Sequence, residues 1–141
     1  MCDDLQNARQ LLDAGDYTCV LCKGSRHYTS TQRGVAPLLS WLDAELSLHG
    51  FSAADRVVGK ATAFLYCLLG VQQVYARVMS KPALEVLQQH RIAASWGTLV
   101  AGIENRQKNG PCPMEHATRG CTSPEEALEA IRATLKRLQT S

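Results

Sequence analysis

The sequence predicts one α/β domain, on three observations. From 60 to 96 the order helix, strand, helix, strand recurs, an alternation that builds parallel crossovers. The first helix of that run, Lys60 to Leu69, is apolar nearly all round, and a helix without a polar face is covered on most sides. The length of 141 residues, with 45% hydrophobic, suits a single sizeable core, so 1–141 is read as one domain.

Each element has its own warrant. Leu5, Ala8, Leu11 and Leu12 recur at helical spacing until Gly15-Asp16 stops them. Tyr17 to Lys23 reads as a strand, Lys23-Gly24-Ser25-Arg26 as a turn, and His27 to Thr31 as the antiparallel return. Gly34 opens a second helix whose stripe is Val35, Leu38, Leu39, Leu42 and Leu46. After Gly50, the segment Phe51 to Val58 is ambiguous between helix and strand. Gly70 ends the central helix, and Val71 to Met79 reads as a buried strand. Ser80-Lys81-Pro82 caps and starts a helix through His90, because proline near the first turn loses only an N–H that had no partner. Arg91 to Trp96 is a further strand, 105–111 a polar loop, and Cys112-Pro113-Met114-Glu115 the start of a short helix. Thr122-Ser123-Pro124-Glu125-Glu126 opens the last helix, with the stripe Ala127, Leu128, Ile131, Leu135 and Leu138.

A formal charge of +2, with both signs mixed along the chain, gives no field to draw nucleic acid or a membrane surface, so the expected partners are small molecules or proteins, a second copy included. The six cysteines, at 2, 19, 22, 67, 112 and 121, lack a disulfide rhythm, and the acidic start Met1-Cys2-Asp3-Asp4 is unlike a signal peptide. A cytoplasmic, reduced chain is expected. The longest apolar run, Ala61 to Val71, is too short to span a bilayer.

Gly59-Lys60 invites comparison with a phosphate-binding loop, but Ala54 stands where that motif needs glycine and Ala61 where it needs serine or threonine. Two readings stay open: an anion site made by the helix N-terminus and the lysine, or a packing glycine beside a solvated lysine. Cys19 and Cys22 have metal or redox spacing, yet three apart on a strand they face opposite sides and read as apolar strand residues. Cys112 begins a helix, whose dipole favours thiolate; it is either a nucleophilic or redox-sensitive thiol or a cap neighbour, with Glu115 closing a local capping interaction. Asn105 and Arg106 offer an anion contact or a solvated loop charge. His27, His49, His90 and His116 are scattered, so no metal site is expected from neighbours.

The stretches Asp55-Arg56-Val57-Val58-Gly59-Lys60-Ala61-Thr62-Ala63 and Cys112-Pro113-Met114-Glu115 resemble an uncharacterised prokaryotic family of unknown function within the cytidine-deaminase-like superfamily. The likeness extends to 17–21, 30–39 and 82–87. It implies a three-layer α/β/α fold, a mixed sheet with helices on both faces. It also implies a retired zinc site, with Lys60 in place of a metal ligand, Thr62 in place of the general acid/base glutamate, and Ser80-Lys81-Pro82-Ala83 where the cysteine ligands would start. Zinc-dependent deamination, which needs those ligands to activate water, is therefore not expected, and no cofactor is called for.

Three functional expectations follow. The first is a domain binding a small, anionic or nucleotide-like ligand through Asp55, Lys60, Thr62 and Ser80, joined by Arg106, Cys112 and Glu115 if the late loop covers the cleft. The second is an enzyme of another mechanism, with Cys112 as nucleophile or Lys60 as a depressed-pKa amine near Asp55. The third is a non-catalytic interaction or regulatory protein.

Overall fold

The computed structural model describes residues 3–32, 34–103 and 113–140. In chain order the elements are α1 (Asp3–Ala14), β1 (Cys19–Lys23), β2 (Arg26–Ser30), α2 (Ala36–Asp43), β3 (Ser52–Val58), α3 (Lys60–Leu69), β4 (Gln73–Ser80), α4 (Lys81–Gln89), β5 (Ala93–Val100), α5 (Pro113–Thr118) and α6 (Pro124–Thr140). The strands form one mixed five-stranded sheet in the order β2-β1-β3-β4-β5. β1 pairs antiparallel with both β2 and β3, whereas β3, β4 and β5 run parallel, joined by the crossovers α3 and α4. The hairpin and the parallel crossovers expected from the sequence are thus present.

Two apolar clusters separate the faces of the sheet. Along β1 the alternation sends Val20 and Cys22 to one side, where they meet Ala8 and Leu12 of α1. It sends Cys19 and Leu21 to the other, into the cluster of α2, α3, α4 and α6. α1 is held further by Arg9, whose guanidinium lies 4.0 Å from the centroid of the Tyr75 ring on β4. α3 is the hub of the opposite layer, packing against α2, α4, α5 and α6 as well as the sheet. Its all-round apolar sequence follows from that position.

The ambiguous segment 51–58 is a strand for tertiary reasons. Ala53, Ala54, Asp55 and Arg56 have little strand preference of their own, but β3 is central, with β1 on one side and β4 on the other. The second predicted helix is shorter than its stripe. It ends at Asp43, and Glu45 adopts a left-handed φ of 56° that turns Leu46 and Leu48 back against the core. The alternation also slips once in each parallel strand. Ala53 and Val58 of β3 lie five positions apart yet share one cluster, as do Val74 and Met79 of β4. The row between them contains Arg77 of β4 and Gly97 of β5, where a Cβ would stand 2.9 Å from the Arg77 carbonyl oxygen. The slip leaves Asp55 and Val58 on the α3 side of the sheet.

α3 ends as its sequence predicts, on Gly70 with φ 81°. α4 starts on Ser80, whose Oγ accepts a 3.1 Å hydrogen bond from the Ala83 amide. Because this cap is buried, Ser80→Ala is expected to cost about 1 kcal/mol, read as a lowered urea midpoint at unchanged m. Among the described residues no helix is long and apolar enough to cross a membrane.

Candidate functional site

A cavity of about 300 Å³ opens at the carboxyl end of β3. Asp55, Arg56 and Val57 form one wall, and Gly59, Ala61 and Thr62, from the turn into α3, form the next. Thr18, Val35 and Ile103 contribute from loops, and Met114 and Glu115 from α5. The walls are mostly apolar. In open α/β sheets the strand ends are where crossovers part, so the location is the one at which such folds hold ligands.

Asp55 is the buried polar centre. Its Oδ2 accepts a 2.7 Å hydrogen bond from the Tyr66 hydroxyl of α3, and its Oδ1 accepts from the Val57 amide at 3.3 Å. The Tyr66 oxygen also lies 3.0 Å from Cys19 Sγ of β1. Since the one phenolic proton goes to Asp55, the thiol donates to tyrosine, giving a chain from thiol through phenol to carboxyl. Burial pushes the Asp55 carboxyl up to about 6, against the opposing pull of the Tyr66 and Val57 donors. Burial, reinforced by the Asp55 charge, drives the Cys19 thiol and the Tyr66 phenol well upward, so both stay neutral. Among the described residues no cation pairs with Asp55; the ion pairs there are Arg77–Asp13 and Arg132–Asp43.

The N-terminus of α3 is already served by an anion. Glu115 Oε1 accepts a 2.5 Å hydrogen bond from the Lys60 amide, and the Ala61 amide also donates to this carboxyl. Burial raises the Glu115 pKa, while those amides and the nearby Lys60 and Arg119 charges pull it down. Gly59 makes the contact possible, for a Cβ there would lie 2.2 Å from Oε1. The Lys60 ammonium turns the other way, donating to the Arg119 carbonyl at 2.9 Å, with the Phe64 ring 5.8 Å off. Lys60 lines a separate hollow of about 180 Å³ with Pro82, Gly102 and Arg119, and Glu115 and Ile103 form the partition between the two.

The structure therefore brings Asp55, Thr62 and Glu115 into one cavity and puts Lys60 behind Glu115. Ser80 is fully buried as the α4 cap and lines neither hollow. Arg106 and Cys112 lie outside the described residues. Tyr66, Cys19 and Arg56 escaped the sequence reading. The available signal was Asp55 itself, a charge following the buried run Ser52-Ala53-Ala54 of β3, which requires partners on whatever packs over it. Neither helix start fits a zinc site: α3 offers an ammonium and a hydroxyl, α4 a hydroxyl committed to its own cap. Among the described residues no group of three or more His, Cys, Asp or Glu is placed to hold a metal.

Residues 7–135 match the family described as a domain of unknown function, DUF1893. The crystal structure of a DUF1893 family protein from Thermotoga maritima superposes with a TM-score of 0.85 at 21% identity, covering 94% of this chain and 90% of that one. It shares the fold. The apo dCMP deaminase of the cyanophage S-TIM5 superposes with a TM-score of 0.43 at 14% identity, over 66% of this chain and 93% of that one, too loosely for any residue to be carried across. Among curated proteins, the glycerol-3-phosphate dehydrogenases [NAD(P)+] of Brucella canis and Brucella suis are 32% identical over 97 residues, 67% of this chain. The chain spans 28% of the length of those relatives. No two of its glycines are spaced two apart, so the Gly-x-Gly turn that seats a dinucleotide pyrophosphate is lacking. By the match over nearly its whole length and the shared fold, this chain belongs to the DUF1893 family.

Proposed function

We propose that this protein is a small-molecule-binding domain whose ligand enters the cavity at the carboxyl end of β3. The observation that carries the reading is the cavity itself: about 300 Å³ of mostly apolar wall into which a few polar groups converge. A nucleoside-sized or nucleotide-like ligand suits that volume, with its ring against Val35, Val57 and Met114. Arg56 is the cation on the wall, and its buried Nε has no hydrogen-bond partner among the described residues. An anionic group on the ligand is therefore assigned to Arg56 rather than to Lys60 or the α3 amides, which Glu115 occupies. The described cysteines at 19, 22, 67 and 121 are free, which suits the cytoplasmic setting included in this proposal.

A thermal-shift panel of nucleosides, nucleotides and phosphorylated metabolites tests it. A true ligand at a hundred times its Kd is expected to add about 2.7 kcal/mol, several degrees of Tm. No shift with any member of the panel overturns the reading. Glycerol phosphate oxidation is not adopted, because the matched region is a fraction of those enzymes and the dinucleotide turn is missing.

A further inference from the structure

The geometry points to Asp55 as the ligand-recognising group of this cavity, accepting hydrogen bonds from an N–H donor on the ligand, of the amine, amidine or amino-heterocycle class. This rests on the cavity being a ligand site, and it names the chemistry selected there.

Asp55 is only 7% exposed, and it is one of the residues that line the cavity. A carboxylate has roughly four lone-pair positions. Tyr66 occupies one on Oδ2 and the Val57 amide one on Oδ1, whereas the Arg56 amide donates at 3.2 Å to the Thr18 carbonyl. Acceptor capacity is left over, and no protein cation takes it among the described residues. The titratable and charged groups placed around Asp55 are Cys19 of β1, Tyr66 of α3, Arg56 on its own strand and Glu115 of α5 across the cavity. Cys19 and Tyr66 are neutral donors, Glu115 is committed to the α3 amides, and the Lys60 ammonium belongs to the other hollow.

A buried carboxylate without a counter-charge is costly, and a ligand that supplies an N–H or a cation relieves that cost. The Cys19–Tyr66 chain holds the carboxyl in one orientation, so the free lone pairs are aimed before the ligand arrives. Lined by apolar groups, the cavity favours a flat, largely apolar body behind the donor.

Two probes of one shape and opposite charge test the assignment: benzamidinium, which stays cationic from pH 5 to 8, and benzoate. Calorimetry on the intact protein is expected to show benzamidinium binding at pH 8 and about tenfold weaker binding at pH 5, because Asp55, titrating at about 6, must lose its proton to accept. Asp55→Asn is expected to abolish that pH dependence. Tyr66→Phe is expected to move its midpoint upward, since the ionised carboxyl loses a donor. The wild-type pH profile stands as a test even if a variant fails to fold. Benzamidinium that does not bind, or binds equally at both pH values, overturns the assignment. Benzoate binding in its place overturns the assignment while keeping the cavity as a ligand site, and no binding by any compound removes both.

Discussion

Asp55→Asn is expected to stabilise the folded protein above pH 7 and to leave its stability near pH 4 almost unchanged. The sign follows from the direction of the shift. The carboxyl titrates at about 6 when folded against an ordinary value of 3.8, so the folded state holds its proton more tightly than the unfolded one. The proton-linked stabilisation is complete below the unfolded value and is lost as pH rises through the folded one. Two pKa units correspond to about 3 kcal/mol. Asparagine carries no charge to lose. Its amide can donate to Tyr66, whose hydroxyl then turns to donate to Cys19, so the buried chain keeps its partners. Urea unfolding of both proteins from pH 4 to 8 measures the difference directly. A gap that stays constant with pH would show that Asp55 does not titrate in this range.

Gly59→Ala is expected to destabilise by about 1–2 kcal/mol, although alanine suits the local backbone, which is extended at φ −99° and ψ −177°. The cost comes from a distant side chain. The new Cβ would lie 2.2 Å from Glu115 Oε1 and 2.9 Å from its Cδ, so Glu115 must leave the Lys60 and Ala61 amides. Glu115→Ala removes the same contact and is expected to cost a similar amount. The double variant should then lose little more than either single one, because both substitutions break one interaction. Additive losses in a urea double-mutant cycle would separate Gly59 from Glu115. Millimolar phosphate should also raise the Tm of Glu115→Ala and not of wild type, since the freed helix N-terminus is an anion site.

Sequence pattern carried the fold further than it carried the site. α3 is bounded by Gly59 and Gly70 in both the sequence and the structure, and α4 by Ser80, because caps are local. The start of α6 was equally legible: Glu126 donates its amide to Ser123 Oγ at 3.2 Å, and its carboxyl accepts from the Thr122 amide at 2.8 Å. β3 was not, since its Ala-Ala-Asp-Arg centre is held extended by neighbours on both sides rather than by preference. Of the candidate residues named from the sequence, Asp55, Thr62 and Glu115 line one cavity. What Glu115 does there was hidden. The sequence offered it as a partner within its own helix, whereas it caps α3, 55 residues away. Tyr66 and Cys19 looked like ordinary core residues because nothing local tells a helix tyrosine that it will lie over a strand aspartate.

Among the described residues α1 is the one helix on its face of the sheet, which has a consequence for the order of assembly. α1 precedes every strand in the chain, yet its apolar stripe packs against β1, β3 and β4, and β4 ends only at Ser80. The β3–α3–β4–α4–β5 run is contiguous and closes on near neighbours, so it can condense without α1. Until then Ala8 and Leu12 have no surface to bury against. α1, although it precedes the strands it packs against, is therefore among the last of these elements to acquire its tertiary contacts, and until it docks, Val20, Cys22 and Ala54 remain a solvent-facing apolar strip in the growing chain.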